Sequence, residues 1–480
     1  PGPQLISDSK GPNRQQARRA LQSFRLRLHS KGLKRRALWA LLVMLRNAYV
    51  SVSVAWLLTF LCSIGTLFSR PAAQQSYSRF LTATLVWCHF FFCFCVFLVQ
   101  TCFLARRRFA STPDTPPTFL FCLQRLCSQT YYPYILSLVL LLVSTLLVSK
   151  CTPPHLRRYK LEFYLGCLCS HVYTTHAVIS TWRIIQHETV HHGNGRRPTA
   201  LPASRRGLLA RLRHFRFVFV AYSPLAGTVV LAGIFVHVIS KCRISSQTEV
   251  FLVSAASLAL KLLVQECIKM YVIRRNVQDI RTMCVAVGLP TVLIDTQLRI
   301  SLQRVQNAQL TIAGTVLLAG VEIAVRSGKV LLVTLELATP DARFQHWKKK
   351  LLAFHTAEIY ADMSAEYIAI GCSAALLYFF WGHPKYELRL LDAPSSSSSA
   401  SAPSESQPPS SENTMPANQL LLLGLQVGAE MGVDYVASLL EMSAGIDFME
   451  LRKFGPFVAC VFVSITVINI LISAVIFMRV

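Results

Sequence analysis

Acidic residues are scarce in the first half of this chain. Residues 1–240 contain only Asp8, Asp114, Glu162 and Glu188, whereas the other 19 of the 23 acids lie in residues 241–480. Charged residues of both signs make up 15% of the chain, against about 25% in a typical soluble domain. Because the apolar residues also occur in long blocks, this composition argues against a large soluble core and favours burial in a lipid bilayer.

Several functional motifs are missing as well. The chain has no Gly-rich phosphate loop, no GxSxG motif and no set of kinase motifs, and no polar segment is long enough for a nucleotide-binding domain. These absences argue against an ATP-driven transporter acting alone. The closely spaced cysteines, such as Cys93 and Cys95, are separated by one residue, which is the wrong spacing for a CxxC redox or zinc motif.

What the chain does contain is basic charge, with a formal net charge of +26. Lys and Arg lie mainly between the apolar blocks, where flanking charge and anionic lipid explain them, and no nucleic-acid recognition motif accompanies them. We therefore expect the lipid bilayer as a partner, with anionic lipid at a basic N-terminal arm (residues 1–47), and no nucleic acid. The arm is either an amphipathic helix on the membrane surface or a disordered basic tail.

The clearest membrane span is residues 80–104, which contain no charged residue. As a helix they would reach roughly 37 Å, enough to cross a hydrocarbon layer of about 30 Å. The sequence predicts an all-α fold, a polytopic membrane protein with a bundle of about 8–10 transmembrane helices. Six spans are expected within residues 48–273, at 48–68, 80–104, 132–149, 161–184, 217–239 and 250–272.

The remaining chain is predicted to contain three further parts. Residues 274–392 hold a segment too short to cross (284–294, interrupted by Gly288 and Pro290) and two probable spans, 310–325 and 359–381. Residues 393–417 are rich in Ser and Pro, which predicts a disordered linker. Residues 418–480 hold an acidic apolar helix, 420–446, and a final span, 457–478.

The distribution of basic residues predicts the orientation. With the N-terminus inside, the inner segments up to residue 307 carry 27 Lys and Arg residues and the outer loops carry 8, so we expect a cytoplasmic N-terminus. Cys151 and Cys242 then lie at the same outer edge, either as a disulfide or as two free thiols. The sequence does not distinguish the plasma membrane from an endomembrane, and it is compatible with a homo-oligomer.

Acids inside apolar helices are the main candidates for function. Glu358, Asp362 and Glu366 are four residues apart and share one helix face. A charge at bilayer depth costs roughly 2.5–3.5 kcal/mol, so such residues face a partner or a water-filled path. They either line a transport route or form structural ion pairs. The full set of candidates for a transport path is Lys261, Glu266, Glu322, Arg326, Glu358, Asp362, Glu366, Glu430, Asp434 and Glu441.

The run Ala357-Glu358-Ile359-Tyr360-Ala361-Asp362-Met363-Ser364-Ala365-Glu366-Tyr367, with His383-Pro384-Lys385-Tyr386 after it, resembles a recurrent segment of uncharacterised multi-pass membrane proteins of oomycetes. The acidic stretch 430–448 is similar to the region after that segment in those proteins. The resemblance covers roughly the last third of the chain. It implies a membrane protein and supplies no catalytic residue.

His187-Glu188-Thr189-Val190-His191 is formally an HExxH sequence. On a helix, His187 and His191 would share a face and could bind zinc, and Glu188 could act as the catalytic base on a bound water. Asp295 comes after Pro290 at the spacing of the Pro-x4-Asp motif of intramembrane zinc proteases, without the flanking Asn and Gly. The alternative is a protonatable helix end near the lipid headgroups.

From the sequence, the leading hypothesis is a carrier or channel-like protein for a small solute or ion, with no cofactor and no enzymatic activity. One alternative is a zinc-dependent membrane metallopeptidase using His187, Glu188 and His191. The other is a non-enzymatic membrane receptor or structural protein.

Overall fold

The computed structural model describes residues 31–64, 75–110, 117–189, 208–241, 247–274, 280–303, 319–328, 345–380, 385–386, 417–444 and 455–478. Within these ranges the chain is helical, and its β-structure is limited to two isolated bridges, Phe109–Thr189 and Tyr386–Met478. This confirms the all-α fold class. The Ser/Pro-rich stretch up to residue 416 and the first 30 residues of the basic arm lie outside the described residues.

The described part of the chain contains ten long helices in sequence order, and we number them α1 to α10. Their bounds are α1 Lys31–Ile64, α2 Tyr77–Leu104, α3 Phe119–Cys151, α4 Leu161–Glu188, α5 Leu208–Lys241, α6 Gln247–Arg274, α7 Ile280–Gln303, α8 Gln345–Phe380, α9 Ala417–Ala444 and α10 Gly455–Ile476. A 3₁₀ turn, Pro154–Tyr159, joins α3 to α4. Residues 319–328 are also helical, and we call them the 319–328 segment.

Six of the described helices have stretches long and apolar enough to cross a membrane. These stretches are Met44–Ser63, Tyr77–Leu104, Phe119–Cys151, Phe251–Tyr271, Ala361–Phe380 and Ala459–Ile476. The chain is therefore an integral multi-pass membrane protein. α4 and α5, which were also expected to cross, have 28 and 34 residues but do not belong to these six.

The six apolar stretches divide into an outer and an inner group. In α1, α2, α3 and α6 only 17–28% of the most apolar window is buried, whereas the corresponding values are 89% in α8 and 78% in α10. Large apolar side chains such as Leu140, Val143 and Leu147 of α3 are exposed. An apolar exposed face of this kind suits lipid, and α8 and α10 form an interior that protein covers.

The third inner helix is α7, which packs against α5, α6, α8 and α10. It continues through Gly288 and Pro290, where the sequence predicted an interruption. Gly288 lies against Phe462, Ile465 and Ala361, so neighbouring helices enclose the helix at this point. Packing on all sides compensates for the weak helix propensity of Gly and Pro, which is why the local prediction of a break was wrong.

Polar side chains join the inner helices to one another. The Gln297 amide of α7 donates to the Ser473 hydroxyl of α10 at 2.5 Å, and the Asn469 amide of α10 donates to the Thr296 hydroxyl at 2.8 Å. In a bilayer such bonds between helices contribute about 0.6 kcal/mol on average. They fix the register of α7 against α10.

A buried lysine ties the first half of the chain to the last helix. The Lys160 ammonium donates to the carbonyl oxygens of Val475 and Met478 at 2.7 Å each, and it also contacts that of Ile476. Lys160 has a left-handed backbone, with φ 49°. The C-terminal end of a helix carries partial negative charge, so the ammonium compensates the last carbonyls of α10.

Small residues allow α8 to approach its neighbours closely. Ala361, Ala365, Ala369 and Ser373, which follow one another at four-residue intervals along α8, are fully buried. On another face, a Cβ at Gly371 would lie 2.9 Å from the Ala55 Cβ and 3.0 Å from the Val52 Cα of α1.

Replacing Gly371 with leucine is expected to lower the free energy of unfolding by about 1–3 kcal/mol, because the side chain would force α8 away from α1. The free energy of unfolding is measured by titrating the micelle-solubilised protein with SDS. Gly424→Leu is the matched control, since Gly424 of α9 is exposed and a Cβ there would meet nothing within 4 Å. Equal losses in the two variants would contradict the close α1–α8 contact.

Candidate functional site

Lys261 lies at the centre of a buried group of charged side chains. It shares one face of α6 with Val264, Gln265 and Ile268, and all three of these are buried. Its ammonium donates to Asp295 Oδ2 of α7 and Glu366 Oε1 of α8, at 3.1 Å in each case. The Lys261 side chain is only 11% exposed. One cation therefore holds carboxylates from two other helices.

Two arginines form further buried ion pairs. Arg299, one turn after Asp295 on α7, donates to Glu430 Oε1 of α9. Arg326 of the 319–328 segment donates to Asp434 Oδ1, one turn after Glu430. The four side chains are at most 8% exposed. α9 is thus connected by charge to both α7 and the 319–328 segment.

Three carboxylates of this group lie close together. One oxygen each from Glu322, Glu366 and Glu430 lies within 4.8 Å of the other two. Beside them is a cavity of about 40 Å³, enough for one small ion or a few water molecules. Its polar and charged lining residues are Lys261, Gln265, Asp295, Arg299, Glu322, Arg326, Asp362 and Glu366.

The group contains more acids than bases. We call it the charge cluster and define it as Lys261, Asp295, Arg299, Glu322, Arg326, Asp362, Glu366, Glu430 and Asp434. Counted over these described residues, six carboxylates face three cationic side chains, an excess of three negative charges if every acid is ionised. An uncompensated buried charge is costly, so the cluster can be expected to attract protons or other cations.

The structure brings together most of the acids that the sequence selected. Glu358, Asp362 and Glu366 lie buried along α8, and the Gln265 amide donates to Asp362 Oδ1 at 2.8 Å. Glu266 is different: its side chain is 58% exposed and lies 3.5 Å from Lys269 on the same helix. Its expected place on a transport path is not supported by this position. The side chain of Glu441 lies outside the described residues.

Asp295 and Arg299 were missed as members of the cluster. The sequence pattern suggested Asp295 only as a third zinc ligand, and Arg299 was not selected at all. The available signal was their spacing of four residues within an otherwise apolar stretch, which places them on one helix face. It was obscured because Gly288 and Pro290 suggested that no continuous helix existed there.

The HExxH residues are only partly described. α4 ends at Glu188, and Thr189 is extended with φ −109° and ψ 148°. The Glu188 carboxylate accepts bonds from Arg125 Nε at 2.8 Å and Nη2 at 2.7 Å. His191 lies outside the described residues, so the zinc site stays a prediction, which bound zinc that depends on His187 would support.

The two alternatives for Cys151 and Cys242, a disulfide or two free thiols, both stay open. Cys151, the last residue of α3, is exposed, and Cys242 lies outside the described residues.

The chain was compared with known proteins: no family model, no curated protein and no solved structure matches it. The resemblance to multi-pass membrane proteins of oomycetes therefore stays a prediction, and function has to be argued from the charge cluster itself.

Replacing Arg299 with methionine is expected to cost about 3–5 kcal/mol, because it leaves the Glu430 carboxylate buried without its cation. The double variant R299M/E430M should recover a large part of that loss, since both charges are then gone. SDS titration of the purified protein measures both. Lys269→Met, which removes the exposed partner of Glu266, should change stability by less than about 1 kcal/mol. The single variant E430M is measured as well. A double variant that loses as much stability as the sum of R299M and E430M would contradict the Arg299–Glu430 ion pair.

Proposed function

We propose that the protein is a carrier or channel-like protein that moves a small ion, or a small solute together with an ion, through the charge cluster. The observation that carries this proposal is the convergence of four carboxylates and three cations on a cavity within a membrane helix bundle, with two more carboxylates, Glu430 and Asp434, paired to two of those cations. Ionisable residues at membrane depth commonly mark ion paths and proton relays. Compared with the transport path predicted from the sequence, the charge cluster adds Asp295 and Arg299 and does not include Glu266, Glu358 or Glu441.

Stability alone is a poor explanation for this arrangement. Buried ion pairs often contribute less to stability than apolar residues of the same volume would. Here the acids also exceed the bases, so the cluster carries more charge than pairing requires. A site that takes up and releases cations accounts for the excess acids, whereas a purely structural cluster does not.

The sharing of Lys261 suggests how an ion could pass. Asp295 and Glu366 both accept from the same ammonium at 3.1 Å. When a proton or another cation neutralises Glu366, Lys261 still has Asp295 as its partner and is not left unpaired. The cluster can therefore change its occupancy without isolating a buried charge, which lowers the barrier to uptake and release.

Reconstitution into liposomes tests the proposal. Dyes that report pH, Na⁺, K⁺ or Ca²⁺ are enclosed in vesicles, and a gradient of each cation is applied in turn. We expect the unchanged protein to carry at least one of these fluxes and Glu366→Gln to reduce it at least about tenfold, since that carboxylate lies at the centre of the cluster.

Glu266→Gln is the matched control, because it removes an exposed acid five residues after Lys261 on the same helix and should leave the flux unchanged. Gel filtration and circular dichroism establish that each variant is folded. Undiminished flux through a folded Glu366→Gln variant would overturn the proposed path, and so would a Glu266→Gln variant that loses flux equally. A wild-type protein that moves none of these cations would instead favour the receptor or structural alternative.

A further inference from the structure

We infer that Glu322, Glu366 and Glu430 bind a hard divalent cation, with the size and oxygen preference of Mn²⁺ or Ca²⁺. This inference rests on the proposed function, because it names the cation that the proposed transport site would bind. The three residues come from the 319–328 segment, α8 and α9, so the ion would join three separate parts of the chain.

The spacing of the carboxylate oxygens fits one ion. Two ligands of one Ca²⁺ lie at most about 4.6–5.2 Å apart, and three that surround it evenly lie at most about 4.0–4.5 Å from one another. The three oxygens lie within 4.8 Å of one another. They therefore require little movement to bind an ion of that size, and carboxylate oxygens are the ligands that such hard cations prefer.

Unsatisfied buried atoms point to a ligand independently of this spacing. Within the described part of the chain, Glu366 Oε2 and Glu430 Oε2 are buried and have no hydrogen-bond partner. The Tyr367 side chain beside them is also fully buried, but its hydroxyl interacts with the Asp434 carboxylate of the same cluster and is not counted here. Buried oxygens are rarely left without a partner, and a cation with its bound water would satisfy both of the Oε2 atoms at once.

Charge also favours a divalent ion over a neutral ligand. Lys261 and Arg299 compensate two of the three carboxylates, and Lys261 is shared with Asp295. The cluster as a whole keeps an excess of three negative charges when every acid is ionised. A divalent cation removes two of them, and the adjoining cavity of about 40 Å³ can hold one or two water molecules to complete its coordination.

Binding of Mn²⁺ to the full-length protein in detergent micelles tests this inference. Electron paramagnetic resonance measures free Mn²⁺ during a titration, and Ca²⁺ is added as a competitor. We expect one Mn²⁺ per chain, displaced by Ca²⁺. Glu322→Gln should weaken binding at least about tenfold, because it removes a ligand that bears charge.

Glu322→Gln is the preferred variant since it leaves the Lys261–Asp295, Lys261–Glu366 and Arg299–Glu430 pairs in place. Glu430→Gln should weaken binding to a similar extent, but it also leaves Arg299 without its anion, so its fold must be checked. Glu266→Gln is the control and should bind Mn²⁺ as the unchanged protein does. Glu322→Asp, which keeps a carboxylate, should bind more tightly than Glu322→Gln.

Absence of Mn²⁺ binding, or equal affinity in the unchanged protein and folded Glu322→Gln, would overturn the metal site. The two proposals fail separately. Flux of protons or monovalent cations without Mn²⁺ binding would overturn the metal site and leave the carrier intact. Mn²⁺ binding that depends on Glu322, with no cation flux in liposomes, would support the site and overturn the carrier.

Discussion

The arrangement of the interior depends on one ammonium group, that of Lys261, which is shared by carboxylates from two other helices. A lysine at membrane depth must find anions, and the ones it finds lie on α7 and α8. The contact therefore fixes α6 against both helices. It also places charge inside the bundle, beside the apolar core that α7, α8 and α10 form.

The acid-poor first half of the chain provides that outward face. Its helices α1, α2 and α3 bury about a fifth of their most apolar windows, and the remaining residues of these windows are half-buried or exposed. With four acids in 240 residues, this half offers few anions that could compete for Lys261, Arg299 or Arg326. Its connection to the inner helices uses a different kind of charge contact, in which Lys160 binds the terminal carbonyls of α10. The uneven distribution of acids along the sequence thus corresponds to two roles, a lipid-facing layer and a charged interior.

The sequence was sufficient for features that depend on local composition. Helix class and the clearest spans follow from long apolar runs, and the grouping of Asp362 with Glu366 follows from spacing within one helix. It was insufficient where the answer depends on neighbours. α6 is apolar around most of its surface, so the sequence did not reveal that Lys261 faces inward and Glu266 outward. α7 carries Gly288 and Pro290, and only the surrounding helices explain why it is continuous and places Asp295 and Arg299 in the cluster.

The ion pairs of α9 indicate which helix would move in a carrier of this kind. The described ion pairs that hold α9 use Glu430 with Arg299 and Asp434 with Arg326. A cation bound at Glu430 would compete with Arg299 for that carboxylate and so weaken one of the two charge contacts of α9. Binding energy can change the position of a helix only if it differs between the two positions. A charged contact that is exchanged for an ion provides such a difference, whereas an apolar contact does not. α9 is therefore the helix whose position would respond most directly to the occupancy of the cluster.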